Sequence, residues 1–303
     1  MAQENLAGRS IAGYRLLERV GEGGTATVYR AEHDVHGRCA VKTLRERLRD
    51  DPTAVKRFLR EAGYGSRVRH PNVVRTYDYG DTEGLYYLAL EWAAGEPLAE
   101  AVARHRRLPA PEVAHIVEQL AGALDAAHAV GIIHRDLKPE NIVYDASSGT
   151  AKLLDFGIAR DAEEDPAERL TRTGFFVGTL QYVAPEALSG ELVGEAADIY
   201  SLATITYHLL TGVHPYTGRS PRELFQKLLT EPPTPLNEAV KELQFARELE
   251  NAVMKGLARD AADRQASVLA FADDVRRGAA SESAAPLKRG IFSLLGSLMG
   301  RKS

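Results

Sequence analysis

The stretch from Ala197 to Leu210 constrains this chain most. It is apolar on nearly every side and stops at Gly212. A helix without a polar face has no solvent side, so it belongs at the centre of a core. A second run supplies a neighbour for it. Val113, Ile116, Val117, Leu120, Leu124 and Ala127 line one helical face, and Gly131 lies just beyond. The N-terminal part follows a different period. Tyr14–Val20, Thr27–Ala31, Cys39–Leu44, Val73–Tyr79 and Leu85–Leu90 read as strands, with a glycine cluster at 21–24 and a turn at His36-Gly37. One helix interrupts them. Asp51 is placed to cap it and Pro52 to open it, and Val55, Phe58, Leu59 and Ala62 recur at helical spacing. Glu91-Trp-Ala-Ala-Gly95 then breaks the pattern as a hinge. The expected architecture is α+β and bilobal, with a small β-rich lobe carrying one helix and a larger α-helical lobe.

Composition narrows the classes. At 303 residues and 44% hydrophobic, the chain can bury the core of a two-lobed unit. Thirty-eight basic against 42 acidic residues leave a net charge of −4, which argues against a nucleic-acid binder. A lone cysteine, Cys39, excludes an intramolecular disulfide framework and a Cys-cluster zinc site. The first residues hold no apolar core of signal-peptide length, and no apolar run reaches the ~20 residues of a membrane span. The expectation is a cytoplasmic protein. Ala279–Pro286 reads as a linker to a short tail. There Ile291, Phe292, Leu294, Leu295, Leu298 and Met299 form one face, flanked by Lys288, Arg289, Arg301 and Lys302. Residues 288–302 could lie on a membrane surface or dock in a partner's groove.

The chemistry-bearing residues follow in order. Gly21-x-Gly23-Gly24-x-Ala26-x-Val28 lies between two strands, and glycines let backbone amides approach phosphates. Lys42 shares a strand face with Ala40 and needs a counter-charge, for which Glu61 is the best-placed carboxylate. His134-Arg-Asp-Leu-Lys-Pro-Glu-Asn141 is the most informative segment. Asp136 can accept a proton from an attacking hydroxyl, and Lys138 can neutralise a transferring phosphoryl group. Asn141 offers a hard oxygen to a divalent cation, and Asp155-Phe-Gly157 supplies a second one. Gly178-Thr179, Ala184-Pro-Glu186, Asp198 and Arg264 complete the series.

In this order and spacing the residues resemble a eukaryotic-type Ser/Thr protein kinase of the kind found in bacteria. The resemblance implies a kinase domain over residues 10–277, with an N-lobe at about 10–90, a hinge at 91–95 and a C-lobe at 96–277. Residues 278–303 fall outside it as linker and tail. The loop Gly21–Val28 would cover ATP, and Lys42, paired with Glu61, would hold its α- and β-phosphates. Val28, Ala40 and Val143 would sandwich the adenine; Glu91 and Ala93 would offer it backbone groups, with Leu90 behind. Asp136 would be the base, Lys138 the γ-phosphate contact, and Asn141 with Asp155 the Mg²⁺ ligands, Mn²⁺ being an alternative. Thr179 would tie the substrate segment to Asp136 and Lys138. Glu186 would pair with Arg264, and Asp198 would brace the catalytic loop. Two departures stand out: Ala26 replaces the third loop glycine, and Gly65 occupies a usually apolar position one turn after Glu61. With Gly63, it predicts a helix that is short or mobile in isolation, so that the Lys42–Glu61 pair depends on an activating event.

That event is expected to be autophosphorylation of Thr171 and Thr173, with Arg57, Arg135 and Arg160 as the phosphate's partners. A transient homodimer could carry it out. The substrates would be proteins bearing Ser or Thr. A kinase-like small-molecule phosphotransferase is disfavoured by the Gly178–Glu186 segment, and a pseudokinase scaffold by the complete catalytic set.

Overall fold

The computed structural model describes residues 5–154, 180–189 and 193–284. In chain order the N-terminal elements are β1 Ser10–Ile11, β2 Tyr14–Glu22, β3 Ala26–His33, β4 Gly37–Leu44, α1 Pro52–Gly65, β5 Thr76–Thr82 and β6 Leu85–Glu91. The strands form one antiparallel sheet in the order β1-β2-β3-β4-β6-β5. Alternation gives that sheet two apolar faces. Tyr14, Leu16, Tyr29, Val41 and Ala89 pack on one of them. Ala26, Leu44 and Leu88 pack on the other, against Phe58 and Ala62 of α1.

Asp51 starts α1 as read from the sequence: its carboxylate accepts from the amides of Thr53 and Ala54 at 2.9 and 3.3 Å. The helix nevertheless runs through Gly63 to Gly65. Burial of Phe58 and Ala62 on the sheet outweighs the low helix propensity of two glycines.

The second part is helical. It comprises β7 Glu96–Pro97, α2 Leu98–His105, α3 Ala110–His128, β8 Ile142–Asp145, β9 Thr150–Leu153, α4 Pro185–Ser189, α5 Glu195–Thr211, α6 Pro221–Thr230, α7 Arg247–Gly256 and α8 Val268–Ala284. Helix α5 is the central one; Tyr200, Leu202, Ile205, Tyr207 and Leu209 are all fully or almost fully buried. Helices α3, α7 and α8 pack against it. Gly212, at φ +76, ends α5 in the left-handed conformation that favours glycine.

Two further sequence readings are corrected. The strand expected at Val73–Tyr79 begins only at Thr76. Val74 instead donates its amide to the Leu153 carbonyl at 2.9 Å, and the Leu153 amide donates to Asn72 at 2.8 Å. Those apolar residues tie the N-terminal sheet to the helical part, so their backbone groups serve a contact between lobes. The linker reading of Ala279–Pro286 also fails over its first part, because α8 continues to Ala284. Ala279 is 3% exposed, and alanine-rich composition favours a helix once one face is packed. No helix among the described residues is long and apolar enough to cross a membrane.

Candidate active site

The antiparallel register sets Val28 opposite Lys42, Lys42 opposite Leu88, and Ala40 opposite Leu90. Opposed residues share a sheet face, as do residues two apart, so all five line the face that α1 covers. Glu61 precedes the buried Ala62 and reaches the strand. Lys42 Nζ donates to Glu61 Oε1 at 2.7 Å, with 13% and 17% of the two side chains exposed. Gly21 pairs with Val28 across β2 and β3. At the tip beyond it, the Gly23 amide donates to the Ala26 carbonyl at 2.8 Å.

Glu91 ends β6. Its amide donates to the Arg75 carbonyl at 2.8 Å, and its carboxylate pairs with Lys152 of β9. Ala93 lies in the segment that follows, before β7. Gly95 has φ +104, and a Cβ there would sit 2.3 Å from the Tyr144 carbonyl oxygen. Only glycine fits that crossing, which brings the hinge onto β8 and its Val143.

The loop after α3 is built around a buried carboxylate. Asp198, fully buried at the start of α5, accepts from the amides of His134 and Arg135 at 2.9 and 3.0 Å. His128 Nε2 lies 2.8 Å from the same carboxylate. These bonds hold Arg135 at φ +63, a costly backbone state for a non-glycine residue. Burial acts to lower the His128 pKa, but the hydrogen bond and charge of Asp198, aided by Glu195 and Asp125, raise it overall. The sequence did not single out His128. The signal available was a histidine in the last turn of a helix, where a cation is favoured.

The strained turn presents the next residues together. Asp136 Oδ2 accepts from Lys138 Nζ at 2.9 Å and from Asn141 Nδ2 at 3.2 Å. Asn141 Nδ2 also donates to the Asp136 carbonyl at 2.9 Å. The Leu154 amide donates to the Asn141 carbonyl at 2.8 Å, which brings the end of β9 to the same loop. Asp155 follows directly in sequence, but Asp155, Arg160, Thr171, Thr173 and Thr179 lie outside the described residues. Arg57 sits on α1, one turn before Glu61.

Farther from the loop, Glu186 and Arg264 form a two-pronged pair at 2.7 and 2.8 Å. The remaining Arg264 donors reach the carbonyls of Ala258, Ala196 and Arg259. Its guanidinium carbon lies 5.0 Å from the centre of the Tyr200 ring, so the charge is enclosed on every side.

Comparison with known proteins agrees with this architecture. The protein kinase domain family matches residues 14–276. The chain belongs to the protein kinase family. Curated proteins similar to it include bacterial serine/threonine-protein kinases. It is 37% identical over 275 residues to pkn3 of Myxococcus xanthus, covering 88% of this chain and 50% of that protein. It is also 37% identical over 267 residues to PknH of Mycobacterium tuberculosis, covering 88% and 42%. The chain thus spans half or less of these relatives' length. Among solved structures, the PknI kinase domain of Mycobacterium tuberculosis is 30% identical at a TM-score of 0.69, over 90% of this chain and 98% of that one. Rad53 in complex with AMP-PNP is 26% identical at a TM-score of 0.70, over 86% and 64%.

Proposed function

We propose that this chain is an ATP- and Mg²⁺-dependent protein kinase that phosphorylates Ser and Thr hydroxyls of proteins. The observation that carries the reading is the Asp136–Lys138–Asn141 cluster, held on a strained turn by the buried Asp198. The Lys42–Glu61 pair supports it. So does the crystallisation of Rad53, a fold neighbour, with an ATP analogue.

The residues fit both nucleotide and metal. Lys42 is the cation held ready on an apolar strand face. Asn141 commits Nδ2 to Asp136, which leaves Oδ1 as a hard oxygen ligand, with Asp155 the second. Magnesium-bound ATP, when present, supplies the phosphoryl group and a cation that neutralises its charge. Asp136 orients the acceptor hydroxyl and takes its proton on the carboxylate. Lys138, already hydrogen-bonded to that carboxylate, moves charge compensation to the phosphoryl oxygens. Val28, Ala40, Leu90 and Val143 enclose the base, with backbone groups of Glu91 and Ala93 at its edge. The test is phosphate transfer to a generic protein acceptor. Asp136→Asn should lose about 10²–10⁴-fold in rate, the usual worth of a general base. Retention of half the wild-type rate would overturn the assignment.

Control by autophosphorylation of Thr171 and Thr173 belongs to the same proposal, with Arg57, Arg135 and Arg160 receiving the phosphate and a transient homodimer as the route. Wild type should accelerate on preincubation with ATP, and the double Thr171→Ala, Thr173→Ala variant should not. The tail at 288–302 is proposed as a peripheral membrane or partner contact of a cytoplasmic enzyme. Removing residues 287–303 should abolish co-sedimentation with anionic vesicles.

A further inference from the structure

Two arginines that the sequence reading passed over reach the glycine-rich loop. Arg45 and Arg47 follow β4, the strand that carries Lys42. Arg45 donates to the Gly23 carbonyl at 3.1 Å, and Arg47 donates to the Gly24 carbonyl at 2.6 Å. The Arg45 backbone amide donates to the Thr25 carbonyl at 3.0 Å. Glu22, at the base of the same loop, holds the Arg45 guanidinium at 2.6 Å and Arg19 at 3.0 Å. Three successive loop carbonyls are therefore drawn to one short segment.

The peptide plane turns that into a statement about amides. In a trans peptide the carbonyl and the following N–H point in opposite directions. With the Gly23 and Gly24 carbonyls turned to the arginines, the amides of Gly24 and Thr25 point away from them. Neither amide donates to another described residue, and both residues are exposed. Two successive amides that no described residue takes are donors available to a phosphate oxygen. We propose that Arg45, with Arg47 in support, is a positioning residue for the nucleotide phosphates, acting through the loop backbone and not by contact. The proposal rests on the nucleotide site described above. Arg45 also couples that loop to the Lys42 strand three residues away, so the loop amides and the lysine share one rigid support.

The test compares ligands that differ only in phosphate. Equilibrium binding of Mg²⁺·ATP and of adenosine is measured on the full chain and on Arg45→Met, Arg45→Lys, Arg47→Met and Glu22→Gln. Arg45→Met should weaken ATP by about tenfold, the scale of one charge-assisted hydrogen bond, and leave adenosine within about twofold. Arg45→Lys should recover part of the loss. Arg47→Met and Glu22→Gln should show the same selectivity with smaller loss, which keeps the test open should Arg45→Met fail to fold. Equal ATP affinity in every variant, or equal weakening of adenosine and ATP, would overturn the tether. Adenosine binding without any gain from the phosphates in wild type would overturn the phosphate site itself, and the tether with it.

Discussion

Two carboxylate–cation pairs, one from each lobe, are built to different ends. Lys42 and Glu61 meet at 2.7 Å between a strand and a helix, with both side chains partly exposed. Glu186 and Arg264 meet through two bonds, with the arginine side chain fully buried and every donor committed. A contact between two elements can be made and broken as the helix moves. A doubly bonded, enclosed pair cannot be opened without stranding a charge. The N-terminal pair therefore suits a part that engages substrate, and the C-terminal pair suits a fixed frame.

Substitutions can break that contrast. Arg264→Met should cost about 3–5 kcal/mol of stability, because it leaves the Glu186 carboxylate buried and unpaired. Chemical denaturation would read it, and a loss below about 1 kcal/mol would remove the distinction between the lobes. Glu61→Gln should cost only about 1 kcal/mol, the worth of one hydrogen bond. Its phosphoryl transfer should fall about hundredfold, as expected when a group that stabilises developing charge is misplaced. Melting and rate measured on one preparation would separate the two effects.

A smaller effect sharpens the comparison from the C-lobe side. The His128 pKa is raised above the ordinary 6.5 by Asp198, against burial. A histidine raised in the folded state contributes stability that is fully present below 6.5 and is lost as pH rises through the folded value. The midpoint of thermal unfolding should thus decline as pH climbs above 6.5, and His128→Gln should flatten that decline. His208 and His214 act in the opposite sense, since burial lowers them to about 4 and about 3. They remain neutral at pH 7 and favour unfolding as pH falls below 6.5. The combination predicts a stability maximum near neutrality, and a monotonic pH profile would contradict it.

Much of the site was legible because its residues are local to one another. Asp136, Lys138 and Asn141 lie within one short segment, so their meeting depends only on a tight turn. Lys42 was marked by an apolar strand that leaves a charge unexplained, and Glu61 by its place beside a helical stripe. Arg45 and Arg47 escaped notice because a surface arginine after a strand carries no local signal. Only the fold of the glycine loop back over that segment gives them partners.

The sequence by itself determined where α1 begins, that α5 is interior, and which residue types cluster between His134 and Asn141. Caps, hydrophobic period and turn chemistry act over a few residues, so they can be read along the chain. The tertiary structure decided the rest. It brought Asp198 to the amides of His134 and Arg135, 64 and 63 residues away, and Arg264 to Glu186 across 78 residues. It extended α8 into the first part of a stretch that reads as linker and turned Val74 from a strand into a bridge between lobes. Such outcomes depend on which surfaces the topology places face to face, and burial against those surfaces outweighs the weak local preferences a sequence displays.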